Sequence, residues 1–225
     1  MGIDDTKAEI IAKRGYRKSI KGDQYSLYLS NYPVAADYLS ERLENKGKIL
    51  VELCCGVGVT MRAVASKFEK LIGIEIDSEV LDFCRQNLKA AGIASKIDFI
   101  QGDISDQNIL KKIKADVAIY DIPYWVSKEL PDGTNVLDRN PELGVMIEKI
   151  RKNITPNIVI FAPPYLKYNL VREQFGKCEF QKIFINGRYD RNYIFLGNLV
   201  EHKGVTEKRL KYSIVGGGIT KNSPN

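Results

Sequence analysis

Four carboxylates in this chain each stand at or just beyond the end of a short apolar run. Glu52 lies in Ile49-Leu-Val-Glu-Leu53, Glu75 ends Leu71-Ile-Gly-Ile-Glu75, Asp103 follows Lys96-Ile-Asp-Phe-Ile-Gln101, and Asp121 follows Ala115-Asp-Val-Ala-Ile-Tyr120. Runs of this length read as buried parallel strands, and a carboxylate at such a tip can accept hydrogen bonds from a ligand on the carboxyl edge of a sheet. Directly after the first run come Cys54-Cys55-Gly56-Val57-Gly58, a tight turn in which missing side chains let the backbone approach that ligand. Glu75 stands about twenty residues beyond, where an acid can accept both hydroxyls of a ribose. Asp103, with Ile104 beside it, can accept from an adenine amino group. Acids at three successive strand ends predict a nucleoside-bearing cofactor, because independent features agree on one ligand. The dinucleotide pattern Gly-x-Gly-x-x-Gly does not fit, since Met61 occupies its third position. The fourth acid opens a different group, Asp121-Ile122-Pro123-Tyr124-Trp125, which joins an acceptor to a backbone-fixing proline and two rings.

The elements that must hold these residues alternate strand with helix. Met61, Val64, Ala65 and Phe68 recur at helical spacing behind the glycine turn, with Thr60 expected as the cap. Pro33 opens an earlier helix with Val34, Ala35, Tyr38, Leu39 and Leu43 on one side, and Asn45-Lys46-Gly47 ends it. Asp77 and Ser78 start another, whose Val80, Leu81, Cys84 and Leu88 face inward, and Gly92 closes it. Residues 141–153 and 165–175 read as helices on either side of a fifth strand at 157–161. Glu179 to Ile185 and Asn192 to Leu199 form a hairpin, signalled by Asn186-Gly187. Tyr25 to Tyr32 reads as aromatic and irregular. Residues 126–140 make a long polar connection beside Asp121, a length that suits a substrate lid.

Glu52-x-Cys54-x-Gly56-x-Gly58 resembles motif I of the class I S-adenosylmethionine-dependent methyltransferases, with Cys54 where glycine is commoner. Asp121-Ile-Pro-Tyr124 resembles motif IV of amino-methylating enzymes, usually Asp/Asn/Ser-Pro-Pro-aromatic, with Ile122 in place of the first proline. Ala162-Pro-Pro-Tyr165 looks closer in letters but follows the fifth strand and has no acceptor at its first position. Three further stretches are similar to the trimethylguanosine synthase family over roughly residues 20–200: Tyr25-Ser-Leu27, Val51-Glu-Leu-Cys-Cys-Gly-Val-Gly58 and Tyr193-Ile-Phe-Leu-Gly-Asn-Leu-Val200.

That resemblance implies a Rossmann-like α/β fold, a seven-stranded mostly parallel sheet with a C-terminal antiparallel hairpin and helices on both faces. It implies S-adenosylmethionine as cofactor, held by Glu52, Cys54, Gly56, Gly58, Glu75, Asp103 and Ile104. It also implies methyl transfer to an exocyclic amine of an RNA base, guanine N2 above others. Such an amine is a poor nucleophile, because its lone pair is delocalised into the ring. Asp121 and a neighbouring carbonyl fixed by Pro123 would accept its N–H bonds and hold the lone pair toward the methyl group. Tyr124 or Trp125 would stack on the base. The family's serine in motif IV is Asp121 here, and its usual Gly-Gly-Pro is replaced by Val126-Ser127-Lys128, so recognition of a methylated cap is not implied.

Composition bounds the alternatives. With 225 residues, 44% hydrophobic and 28% charged, the chain suits one globular domain. The expected division is a helical, basic extension at 1–47, a methyltransferase domain at 48–201 and a basic, loosely ordered tail at 202–225. No apolar run is long enough to span a bilayer and no leader pattern opens the sequence, so a cytoplasmic protein is expected. His202 is the only histidine and the four cysteines lack zinc spacing, which argues against His-based triads and metal sites. The formal charge of +6 suits a polyanionic partner. Lys13, Arg14, Arg17, Lys18 and Lys21 surround Tyr16 without an intervening acid; a solvated helix face and RNA contact are both open readings. Two other functions fit the same motifs: transfer to a protein glutamine amide, and a non-catalytic RNA-binding subunit that keeps the fold. Oligomeric state is not legible.

Overall fold

A computed structural model describes residues 20–121, 141–215 and 218–221. The basic arm with Arg14, Arg17 and Lys18, the segment with Pro123, Tyr124 and Trp125, and the expected lid therefore lie outside the described residues.

The chain enters through α1 (Gln24–Leu29) and α2 (Pro33–Arg42). It then alternates β1 (Ile49–Leu53), α3 (Val59–Val64), β2 (Lys70–Glu75), α4 (Ser78–Ala90), β3 (Ile97–Gln101), α5 (Gln107–Lys112) and β4 (Val117–Asp121). After α6 (Pro141–Asn153) come β5 (Ile158–Ala162), α7 (Tyr168–Phe175), β6 (Glu179–Ile185), β7 (Arg188–Phe195) and β8 (Gly204–Leu210). A separate small hairpin joins β9 (Tyr212–Val215) to β10 (Gly218–Lys221).

The main sheet has the order β3-β2-β1-β4-β5-β7-β6-β8. β1 pairs in parallel with both β2 and β4, so the chain reverses its direction of travel across the sheet beside β1, and a crevice opens at the carboxyl ends of these strands. β7 lies antiparallel between β5 and β6. Its tight turn is the expected Asn-Gly pair, with Asn186 at φ 48° and Gly187 at φ 83°, the left-handed pair that a two-residue hairpin requires.

Alternate strand residues serve two core layers, which is why these strands read as unbroken apolar runs. Leu50, Leu71, Ile119, Phe161 and Tyr193 pack on α2, α3 and α4, while Val51, Ile74, Ala118, Ile160 and Phe180 pack on α5, α6 and α7.

Three expectations change. The sheet has eight strands rather than seven, and the eighth comes from 204–210, inside the segment expected to be a loosely ordered tail. It pairs in parallel with β6. The stretch after Asp23 is helical rather than irregular, because the Asp23 carboxylate accepts from the N–H groups of Tyr25 and Ser26 at 2.8 and 3.0 Å. Thr60 does not cap α3. Gly58 holds that position in a left-handed conformation, φ 84°, and Thr60 lies inside the helix, buried.

The added strand is pinned from below. Glu179, fully buried on β6, is ion-paired with Arg42 at 3.1 Å and accepts from the N–H groups of Glu201 and His202 at 3.0 and 3.1 Å. Arg42 also pairs with Glu201 at 3.0 Å and lies 4.5 Å over the ring of Phe195.

Candidate active site

The turn after β1 is left-handed at three places: Cys54 (φ 64°), Gly56 (φ 52°) and Gly58 (φ 84°). At Cys54 a side chain is carried in that conformation, at a cost of roughly 1–2 kcal/mol. The two glycines do different work. A Cβ on Gly58 would meet Cys84 Sγ at 2.8 Å, so this glycine lets α3 and α4 close on the turn. A Cβ on Gly56 would meet nothing within 4 Å, and Gly56 forms part of the wall of a cavity.

That cavity has a volume of about 470 Å³, within the range of small-molecule sites. Glu52, Gly56, Glu75 and Asp121 line it from the carboxyl ends of β1, β2 and β4, and Ser26 and Asn31 line it from the α1 side. Glu75 bridges two strand ends. One of its oxygens accepts from the Gly56 N–H at 3.0 Å, and the other from the N–H groups of Ile76 and Asp77 at 2.9 and 3.2 Å. Ile76, beside it on the cavity wall, is 62% exposed, an apolar surface of the kind that receives a flat ring.

Glu52 is almost fully buried. It accepts from the Thr60 hydroxyl and the Met61 N–H, yet its Oε2 has no hydrogen-bond partner among the described residues. Burial, and then the negative charge of Asp121, push its carboxyl well above the usual carboxylate range. The Cys54 thiol is likewise pushed up, first by burial and then by the surrounding charges of Glu75, Asp121, Glu52 and Asp103. A cavity walled by this many carboxylates favours a cationic ligand. An orphaned buried carboxylate oxygen and an open glycine turn are the features that a sulfonium nucleoside with an amino-acid tail would satisfy.

Asn31 was not among the sequence candidates. It is buried, and its amide exchanges hydrogen bonds with the Tyr193 hydroxyl at 2.8 and 3.1 Å and reaches Thr60 Oγ1 at 3.4 Å. Thr60 in turn donates to Glu52, so a polar chain runs from β7 to the acid of the glycine turn. The local signal for this wall is the Asp23 cap.

The structure brings Glu52, Cys54, Gly56, Glu75 and Asp121 to one cavity. It does not place Gly58, Asp103 or Ile104 on that cavity's wall. Asp103 accepts from the Ser105 N–H at 2.7 Å, and Ile104 packs on the core layer beneath. The Pro163-Pro164-Tyr165 stretch after β5 has its first carbonyl occupied, since the Asn192 amide donates to Pro163 O at 2.6 Å. Among the described residues, no group of three or more metal-ligating side chains gathers, and no helix is long and apolar enough to cross a membrane.

Residues 47–199 match the family model described as RNA cap guanine-N2 methyltransferase. The chain belongs to that family. The RNA cap guanine-N2 methyltransferase family is one of class I S-adenosylmethionine-dependent methyltransferases, so the cofactor expected from the glycine turn stands. The rRNA N(6)-adenosine-methyltransferase metl-5 of Caenorhabditis elegans is 30% identical over 114 residues, 49% of this chain and 53% of that protein. An uncharacterized RNA methyltransferase of Clostridium tetani is 35% identical over 92 residues, 41% of this chain and 19% of that protein. The chain thus spans about half or less of the length of these two relatives.

Among solved structures, a candidate methyltransferase from Porphyromonas gingivalis W83 superposes with a TM-score of 0.64 at 19% identity, covering 89% of this chain and 48% of that one. The magnesium protoporphyrin IX methyltransferase of Synechocystis PCC 6803, determined with bound S-adenosylmethionine, gives 0.58 at 15% identity over 87% and 98%. Both likenesses are of fold.

Proposed function

We propose that this protein transfers a methyl group from S-adenosylmethionine to an exocyclic amine of an RNA base, with guanine N2 as the leading target. The observation that carries the reading is the position of Asp121. It stands at the tip of β4, the strand next to β1, and faces the same cavity as Glu52 and Gly56. A hydrogen-bond acceptor is therefore held beside the ligand pocket, on the side where a second substrate would meet it.

When bound, the cofactor supplies an electrophilic methyl group on a positively charged sulfur. Glu52, Gly56 and Glu75 are the residues that would hold it, through the open oxygen, the glycine turn and the ribose-spaced acid. Asp121 accepts an N–H of the target amine, turns its lone pair toward the pocket and stabilises the positive charge that grows on nitrogen. The carboxylates nearby add to that stabilisation. The amine proton then leaves to water, so no strong general base is needed. Pro123 is assigned to fix the neighbouring carbonyl, and Tyr124 or Trp125 to stack on the base. Arg14, Arg17 and Lys18 are assigned to the RNA backbone, in keeping with a net charge of +6.

Adenine N6 is the second reading. The identity to the Caenorhabditis elegans adenosine methyltransferase over 49% of this chain favours it, and the acceptor chemistry is the same for either amine. Incubating the protein with labelled cofactor and total RNA, then separating the nucleosides by mass spectrometry, tests both. Label in N2-methylguanosine supports the first reading and label in N6-methyladenosine the second. Label in neither, with cofactor bound, removes both.

A further inference from the structure

The far end of the sheet carries a group of side chains that the methyl-transfer site does not use. β6 runs parallel to β8 and antiparallel to β7, which is itself antiparallel to β5. The carboxyl ends of β6 and β8 therefore lie on the same edge of the sheet as Asp121. Three flat side chains sit there at one level of the register, one per strand: Tyr189 on β7, Phe184 on β6 and Arg209 on β8. The Phe184 and Tyr189 rings are stacked, with centroids 5.1 Å apart and planes 22° apart, and the Arg209 guanidinium lies 4.4 Å from the Phe184 centroid.

This tier ends in the open. β8 is the last strand, and the Arg209 side chain is 63% exposed. Its Nη2 donates to Glu207 Oε2 at 2.7 Å. Guanidinium N–H groups point in the plane of the group, so that bond does not itself cover the flat outer face. Val205, Glu207 and Arg209 all lie exposed on this side. Lys182 stands 5.9 Å from the Tyr189 ring centre, and Lys211, two residues beyond Arg209, is exposed. The acids of this end are Glu207, which pairs with Arg209, and Asp190, which pairs with Arg191. The charge left over is positive.

We propose that this tier is a stacking platform for the single-stranded RNA flanking the target base, with one base laid on the outer face of Arg209 and neighbouring phosphates met by Lys182 and Lys211. Bases stack readily on guanidinium planes and aromatic rings, and cations beside them track the backbone. The register sets the distance. Asp121 is level with Phe161, Tyr193, Gln181 and Thr206, so Arg209 lies four strands across and three residues further out, with its side chain on the opposite face of the sheet, and the RNA would cross the carboxyl edge between the two. At typical strand spacings this is about 20 Å, a few nucleotides of extended chain. The inference rests on the RNA reading above and extends it to the strand beyond the reacting base.

The test uses the full chain and a 5′-fluorescein-labelled single-stranded RNA of mixed sequence, about 20 nucleotides long, followed by anisotropy. Arg209→Glu should weaken binding by roughly ten-fold or more. Arg209→Lys, which keeps the charge but removes the plane, should weaken it by about five-fold. Calorimetric affinity for S-adenosylmethionine should be unchanged in both, which also shows that they are folded. Photocrosslinking of a 4-thiouridine-substituted version should label peptides containing Phe184 or Arg209. Wild-type affinity in Arg209→Glu overturns the platform while leaving the RNA reading intact. Wild-type affinity in Arg209→Lys overturns stacking as its basis. No RNA binding by the unaltered protein overturns the RNA reading and the platform with it.

Discussion

Glu52 and Asp121 face one cavity from neighbouring parallel strands, and the charge on Asp121 is, after burial, the main influence that raises the Glu52 carboxyl above the usual carboxylate range. Glu52 sits deep, with an oxygen waiting for a donor, while Asp121 stands at the mouth of its strand.

If Asp121 is the acceptor of the target amine, Asp121→Ala should leave cofactor affinity within about three-fold of wild type and lower kcat by roughly 10²–10³. Single-turnover assays and calorimetry separate the two effects. Unchanged turnover would show that another group orients the amine.

Glu52→Gln should weaken S-adenosylmethionine binding by up to about ten-fold, the scale of one lost hydrogen bond. Its stability effect has a definite sign. A carboxyl whose folded pKa is raised stabilises the fold most at low pH, and that contribution is lost as pH rises through the folded value. The amide of the Glu52→Gln variant does not titrate, so without cofactor the wild type should lose stability relative to the variant as pH rises from the ordinary carboxylate range. Denaturant titrations from about pH 4 upward, in steps of about one unit, check this. A wild type that gains on the variant with rising pH contradicts a raised Glu52 carboxyl.

The two glycines of the turn should fail differently. Gly58→Ala places a Cβ against Cys84 Sγ in a left-handed conformation and should cost about 2 kcal/mol or more in unfolding free energy. Gly56→Ala meets no neighbour and should cost only about 1 kcal/mol, but should weaken the cofactor by more than about ten-fold by filling the cavity wall. Equal affinity in Gly56→Ala and wild type would mean that the ligand does not approach this turn.

Arg42→Ala strands the buried Glu179 carboxylate and should cost about 3–5 kcal/mol. Urea unfolding measures it. Arg42→Ala combined with Glu179→Gln should recover part of the loss, and a double variant no better than the single one would deny that the stranded charge is the cause.

The sequence exposed the cofactor half of this molecule because every rule there points one way. Buried parallel strands are continuous apolar runs, and Ile49 to Leu53 and Leu71 to Glu75 could be little else. Cys54 already looked out of place where glycine is commoner, and its φ of 64° is the physical reason. Asp103 was legible as a strand-end acid, but the sequence does not show that its side chain turns to the Ser105 N–H. β8 stayed hidden because Gly-Val-Thr-Glu-Lys-Arg-Leu is an edge strand with one side open to solvent, and its charges read as tail. The six residues of α1 are too few for a helical period to emerge among its aromatic and aliphatic side chains, so the wall carrying Ser26 and Asn31 was missed. Pairings such as Asn31 with Tyr193, 162 positions apart in the chain, leave no local trace.

The insertion of β7 between β5 and β6 has a bearing on biosynthesis. The strands whose ends line the cavity are all made by Asp121, whereas β5 gains its second neighbour only once Phe195 has been synthesised. Nascent chains shorter than that present Ile158 to Ala162 as a bare, uncharged ribbon, the kind of edge that recruits other chains. The protein is therefore most exposed to misassembly late in translation, when one half has matured and the other still lacks its middle plank.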